Sequence, residues 1–276
     1  MADKMPVLFI GHGSPMNVIQ DNAFTKSLAE WGKRLPRPEA IMVISAHWLT
    51  TGSFVTCMDR RRTIHDFYGF PDELYAINYP SPGAPEVARQ VAETIRKVPV
   101  GCNQDWGLDH GCWAVLKYLY PKADIPVFQL SLDYLFNDWH PKPLQYHYDL
   151  AAELAGLRQR RILIVGSGNI VHNLSLINFQ NVEAEPFGWS VEFDEQVKSN
   201  LLSRNHQDLI DLGNMGRSAE LAAPTLDHYL PMIYVIALQE RNEEIKFTYE
   251  GFQHGSISMR CFQIGHDHSR KAKGSS

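Results

Sequence analysis

What this 276-residue chain lacks narrows its reading before any motif is considered. No apolar run approaches the roughly 20 residues that a membrane-spanning helix needs, which excludes a bilayer span and points to a soluble protein. Charge of one sign is never concentrated. The formal net charge is −5, and the basic residues are scattered apart from the run at 60–62, so there is no electrostatic footprint for nucleic acid. The sequence has no G-x-S-x-G, which excludes a nucleophile elbow. Its GSGNIV run carries Val171 where a dinucleotide fingerprint needs a third glycine, so the nicotinamide reading is weak. Cysteine is scarce: Cys57, Cys102, Cys112 and Cys261 include no CxxC pair. The chain also runs from MADKM straight into a predicted strand with no leader, and a reducing cytoplasm is the expected compartment. No internal repeat or heptad stripe is present.

What is there is a hydrophobic content of 44%, enough for one large core. Val7–Ile10 and Ala40–Ile44 read as short strands on either side of an amphipathic helix over Ala23–Leu35, which makes a βαβ unit. The alternation continues with helices at Pro85–Arg96, Cys112–Tyr120 and Leu144–Leu157 and strands at Val127–Leu132 and Arg161–Val165. Further helices are expected at Ser190–Asn200 and Leu226–Gln239, and Lys246–Tyr249 with Ser256–Gln263 reads as a closing antiparallel pair. The expected fold is therefore α/β: a single domain over 1–265 with a mostly parallel central sheet flanked by helices and a small antiparallel C-terminal pair. The polar run HDHSRKAKGSS, 266–276, reads as a tail. Between Thr63 and Ala84 lies an aromatic, Pro- and Gly-rich stretch without periodicity, and a long irregular loop of that kind in a compact domain is more often functional than accidental.

Four histidines sit at predicted element ends, three of them in runs with glycine or proline: His12 in GHGSP, His47 in SAHW, His172 in SGNIVHN and His228 in LDHYLP. For a lone histidine a structural or surface role is the commoner case. His12 comes two residues after Ile10, His47 three after Ile44 and His172 seven after Val165. Parallel strands deliver such residues to one edge of the sheet, where ligands bind in open α/β folds, and this shifts the balance toward one metal site. His228 is expected at the start of a helix that Thr225 or Asp227 caps. His110 in the DHG run has two readings: a helix-start residue capped by Asp109, or an acid/base group facing a substrate. His65 lies in the aromatic loop and can line a pocket, while His140, His147, His206 and His254 have no comparable setting.

These residues, together with the runs GHGSPM, SAHW, IHDFYGFP, YPSPGAP, WGLDHGCWAVL, SGNIVHNL, HYLPMIYVIAL and the final GSISMR stretch, resemble the class III extradiol ring-cleavage dioxygenases. The likeness is to the DOPA-extradiol-dioxygenase branch, related to the protocatechuate 4,5-dioxygenase catalytic subunit, and it covers the chain almost end to end. It implies a metal held by His12, His47 and His228, with His172 as acid/base or further ligand and His110 as the other substrate-side histidine. Protocatechuate-type members use two histidines and a glutamate, whereas His228 takes the third position here. Three neutral imidazoles with open positions describe a zinc(II) site as well as an iron(II) one.

The resemblance implies insertion of O2 into the ring of a catechol to give a semialdehyde, and only iron supplies the redox step. The partners would be a small aromatic diol and O2, with no nucleic acid and no membrane. Phe67, Tyr68 and Phe70 of the aromatic loop, His65, and Tyr229 are expected as walls for a flat ring, with ordinary core as the competing reading. Two rivals remain: a zinc-dependent hydrolase, which would work without oxygen, and a non-catalytic metal-binding relative, against which the presence of both His110 and His172 argues.

Overall fold

The apolar runs Val7–Gly11 (β1), Ala40–Ser45 (β2), Val127–Gln129 (β3) and Ile162–Gly168 (β4) become parallel neighbours in a six-stranded sheet of order β5-β6-β1-β4-β2-β3. Ile245–Tyr249 (β5) and Cys261–Ile264 (β6) complete it, with β6 antiparallel to both β1 and β5. This is a computed structural model, and it describes residues 4–60, 62–135, 140, 141 and 143–265. The proposed tail with His266 and His268 lies outside those residues. The architecture is a mixed α/β single domain with the closing antiparallel pair that the C-terminal sequence led us to expect.

Strand side chains alternate between two cores, as the pleat requires. Phe9, Met42, Ile44 and Ile164 pack with Ile233 and Leu150 on one face, and Leu8, Ile10, Val43 and Val165 pack with Trp31, Trp113 and Leu116 on the other. Both faces being covered explains why these strands read as unbroken apolar runs. The helix Ala23–Arg34 (α1) starts on a reciprocal cap: Thr25 N–H donates to Asn22 Oδ1 (3.0 Å) and Asn22 N–H to Thr25 Oγ1 (3.1 Å). Lys33 and Arg34 complement the dipole at its end.

Four segments differ from the sequence reading. The helix expected over Leu144–Leu157 ends at Ala152, and Ala155–Leu157 forms a separate 3-10 turn. Val127–Leu132 is not one strand; the chain leaves the main sheet after Gln129, and Leu132–Leu135 pairs with Leu49–Thr50 instead. Ser256–Gln263 likewise splits into Ile257–Ser258, paired with Phe252–Gln253, and β6. The helix expected from Leu226 is shorter, Leu230–Ile236, with Pro231 in its first turn. Cys57 and Cys102 are joined by a disulfide that no CxxC spacing announces and that does not fit the expected reducing compartment. Parallel pairing of Ser53–Thr56 with Val100–Asn103 brings the two together, and Cys112 and Cys261 are buried and take part in no disulfide. No helix among the described residues is long and apolar enough to cross a membrane.

The register lines up the carboxyl ends of the central strands. Gly11 lies opposite Gly168, and Ser45 opposite Ser167.

Candidate metal centre

His12 leaves β1 directly, its N–H donating to Gly168 O (3.0 Å). His47 follows two residues after β2, and His228 is stitched to the end of β4 by Asn169 N–H donating to its carbonyl (2.9 Å). Gly168 makes that last approach possible, because a Cβ there would stand 2.1 Å from His228 O. The three rings form a nearly equilateral triangle, with centroids 5.0, 5.3 and 5.0 Å apart, and one ligand-type atom from each lies within 4.8 Å of the other two.

Hydrogen-bond partners fix which nitrogen faces inward. Ser167 Oγ gives its proton to the Gly111 carbonyl (2.6 Å), so it can only accept from His12 Nδ1 (3.0 Å), and His12 Nε2 keeps a lone pair. His228 Nδ1 donates to Asp227 Oδ2 (2.6 Å), and His47 Nδ1 lies 3.4 Å from Asp66 Oδ2. His12 Nε2 and His47 Nε2 are 3.1 Å apart, two lone-pair nitrogens turned to one point. Burial, reinforced by the neighbouring histidines, holds His12 and His47 well below the ordinary imidazole range, so both rings are neutral. Asp227 and Asp66 are partly withdrawn from water, which opposes ionisation. Yet His228 holds the Asp227 carboxyl low, and the His110 hydrogen bonds hold Asp66 low. Three imidazoles backed by two carboxylates match a divalent cation in both donor type and charge.

The structure brings two further histidines to the same place. His172 stacks on His228 with centroids 3.5 Å apart and planes at 6°, and burial together with His228 lowers its pKa well below the usual value. It stands outside the three-nitrogen set, so the fourth-ligand option has no geometric support. His110 opens the helix His110–Leu119 (α2), with Asp109 as its cap as the sequence indicated. Its ring lies 3.9 Å from that of His47. Asp66 grips His110 twice: the backbone N–H donates to Oδ1 and Nδ1–H to Oδ2, both at 2.8 Å. Gly111, next along, has no room for a side chain, since a Cβ would meet Ser45 Oγ at 2.5 Å and His47 Cδ2 at 2.9 Å.

All five rings line one cavity of about 400 Å³, which Phe67 and Phe70 also border. The other expected wall residues do not. Tyr229 is fully buried, its hydroxyl donating to Leu209 O (3.0 Å) and its ring packed by Phe193. A turn of about 100° per residue in helical backbone sends it away from the side His228 faces. Tyr68 is 92% exposed. His65 donates from Nε2 to Ile77 O (3.0 Å) and packs on Trp113, securing the loop from behind.

Asp227 is likewise no cap, since it serves His228. Sequence reasoning missed Asp66 and Ser167 altogether, and it left His254, which lines the cavity, without a role. The D-H dipeptide at 227–228 was a readable signal for an orienting carboxylate. Asp66 and Ser167 had none, because they act across 44 and 155 residues.

A triangle of outward-braced imidazoles at the carboxyl edge of a parallel sheet, opening into a largely apolar cavity, defines a candidate non-haem metal centre on an α/β scaffold. The family model described as the catalytic LigB subunit of aromatic ring-opening dioxygenase matches residues 6–259, and the chain belongs to that family. It is 44% identical over 265 residues to the 4,5-DOPA dioxygenase extradiol of Escherichia coli (strain K12), covering 95% of both chains. It is 32% identical over 262 residues to the protein of that name from Beta vulgaris, covering 93% of this chain and 95% of the relative. The crystal structure of an uncharacterized protein from Escherichia coli K12 superposes with a TM-score of 0.81 at 40% identity, over 95% of this chain and all of that one. The protein is thus an extradiol-type ring-cleaving dioxygenase, an enzyme that incorporates oxygen into an aromatic substrate.

Proposed function

We propose that this enzyme cleaves a ring-substituted catechol, with iron(II) as its working metal held by His12, His47 and His228. The observation that supports this ligand set is the bracing of the three rings: His12 Nδ1 faces Ser167 Oγ, His228 Nδ1 faces Asp227 Oδ2, and His47 Nδ1 shares Asp66 Oδ2 with His110, which leaves the opposite ring nitrogens to converge. Iron in that position would supply the redox chemistry that dioxygen requires, which zinc in the same ligands would not. The name borne by several relatives makes DOPA the first catechol to test.

The chain's own groups divide the remaining work. His172, neutral and stacked on His228, takes the proton a catechol hydroxyl gives up on binding. His110 is held through Nδ1 by the Asp66 carboxylate, so its Nε2 is the free ring atom that orients or protonates the oxygen-bearing side of the substrate. Phe67, edge-on to the His110 ring at 5.5 Å, packs beside the bound ring and helps exclude water.

The test is His172→Ala. Turnover should fall by about 10²–10⁴-fold, the usual value of a positioned proton carrier, while the metal is retained. Unchanged ring cleavage with full metal content would remove His172 from the mechanism.

A further inference from the structure

The cavity of about 400 Å³ reaches past the five histidine rings to the turn of a short hairpin, Phe252–Gln253 with Ile257–Ser258. His254 sits in that turn and lines the cavity. Two successive residues there are left-handed, His254 (φ +55°) and Gly255 (φ +79°). Glycine, asparagine and aspartate make such a turn most readily, so a histidine in it breaks the local rule, and residues of that kind cluster at functional sites.

The His254 ring is fixed from one side. Its backbone N–H donates to Val182 O (2.8 Å) and its Nδ1 to Asn178 O (2.9 Å). A carbonyl only accepts, so the neutral ring carries its proton on Nδ1 and a lone pair on Nε2. Among the described residues Nε2 has no hydrogen-bond partner. The neighbouring amides satisfy each other: Asn17 Nδ2 donates to Gln253 Oε1 (3.0 Å) and Gln253 Nε2 to Asn17 Oδ1 (2.8 Å), which fastens the hairpin to the Pro15–Ile19 segment. Phe179 follows Asn178 directly, and its ring, 75% exposed, lines the same cavity.

The hairpin also ties this turn to the chemistry. His172 bridges to Ile257, which pairs on its other side with Gln253, so the residue before His254 stands two strand spacings, about 10 Å, from the His172 backbone. A catechol with a two-carbon tail spans such an interval when its hydroxyls lie at the histidine end. We infer that His254 is a specificity residue whose Nε2 accepts a hydrogen bond from a protonated amine on the tail of the catechol. The inference rests on the ring-cleavage reading above and assigns the recognition of the substrate's tail. A hydrogen bond from an ammonium to a neutral acceptor is charge-assisted, and Phe179 offers the same cation an aromatic ring.

The experiment compares dopamine with 4-propylcatechol, its neutral counterpart of similar shape, and with 3-(3,4-dihydroxyphenyl)propionate. Binding is measured anaerobically on zinc-loaded protein, and kcat/KM on protein reconstituted with iron(II). His254→Asn keeps a donor at the Nδ1 position and tolerates the left-handed turn, but it has nothing in place of Nε2. His254→Gln puts an amide oxygen within reach of the Nε2 position. The asparagine variant should lower the ratio of dopamine to 4-propylcatechol about 10–100-fold in both readouts, the usual weight of a hydrogen bond to a charged group. The glutamine variant should recover part of that loss. A loss that glutamine restores in no part traces the effect to the turn and overturns the inference. So does a larger loss for the propionate than for dopamine, which would make His254 a carboxylate partner. If the catechols are cleaved and the ratio is unchanged in His254→Asn, the inference alone fails. If none is cleaved although the binding ratio falls as stated, the ring-cleavage reading fails and His254 stands as the amine's partner. If none binds or is cleaved, both fall.

Discussion

The proton on Ser167 decides what His12 can do. Because that proton is given to the Gly111 carbonyl, His12 must be protonated at Nδ1 and bare at Nε2. Asp227 imposes the same tautomer logic on His228, while Asp66 Oδ2, engaged by His110, stands 3.4 Å from His47 Nδ1. His12→Ala or His47→Ala should therefore strip the metal, and Ser167→Ala should weaken it about 10–100-fold while leaving the ligands in place. Metal analysis after dialysis checks both, and full occupancy in the His12 or His47 variant would contradict the ligand set. The histidines were legible in the sequence because each sits at a predicted strand or helix end, three of them in runs that contain glycine or proline. Their braces were not, since a serine and an aspartate remote in sequence carry no local pattern. Tyr229 and Tyr68 show the converse: an aromatic next to a functional residue attracts attention, yet one is core and the other is in solvent.

Between elements, the decisive contact is β4 against the segment that enters the last helix, Leu230–Ile236. Gly166 and Gly168 allow this segment to lie directly on the strand; an added Cβ would meet Pro231 O at 2.5 Å in one case and His228 O at 2.1 Å in the other. Gly168→Ala should push His228 away from the other two rings, destabilise the fold by about 1–3 kcal/mol and weaken metal binding. Thermal unfolding and a metal titration measure the two effects, and wild-type metal affinity in this variant would show that His228 does not depend on the close approach. The four parallel strands were legible because burial on both faces leaves them unbroken and apolar. The helix start before Leu230 and the breaks after Gln129 and Ser258 were not. There the apolar run continues while the hydrogen-bonding partner changes, and only the tertiary pairing shows it.

For the molecule as a whole, gathering neutral histidines at one edge links stability to pH. Burial first, then mutual repulsion, holds His12, His47 and His172 below the reference value of 6.5 in the folded metal-free protein. Unfolded, they titrate near that value, so below it the unfolded chain binds more protons. Stability of the metal-free protein is then complete above about pH 6.5 and falls as the pH drops, by up to about 1.4 kcal/mol per pH unit for each histidine. Denaturant midpoints at pH 7.5, 6.5 and 5.5 test this, and a midpoint independent of pH over that range would contradict it.

The central claim is that these histidines serve oxygen-dependent ring cleavage. It is tested most directly by oxygen uptake with a catechol after anaerobic reconstitution, iron(II) against zinc(II). The account predicts one O2 consumed per ring opened with iron and none with zinc. Turnover by the zinc-loaded protein, or ring opening without oxygen uptake, would contradict it.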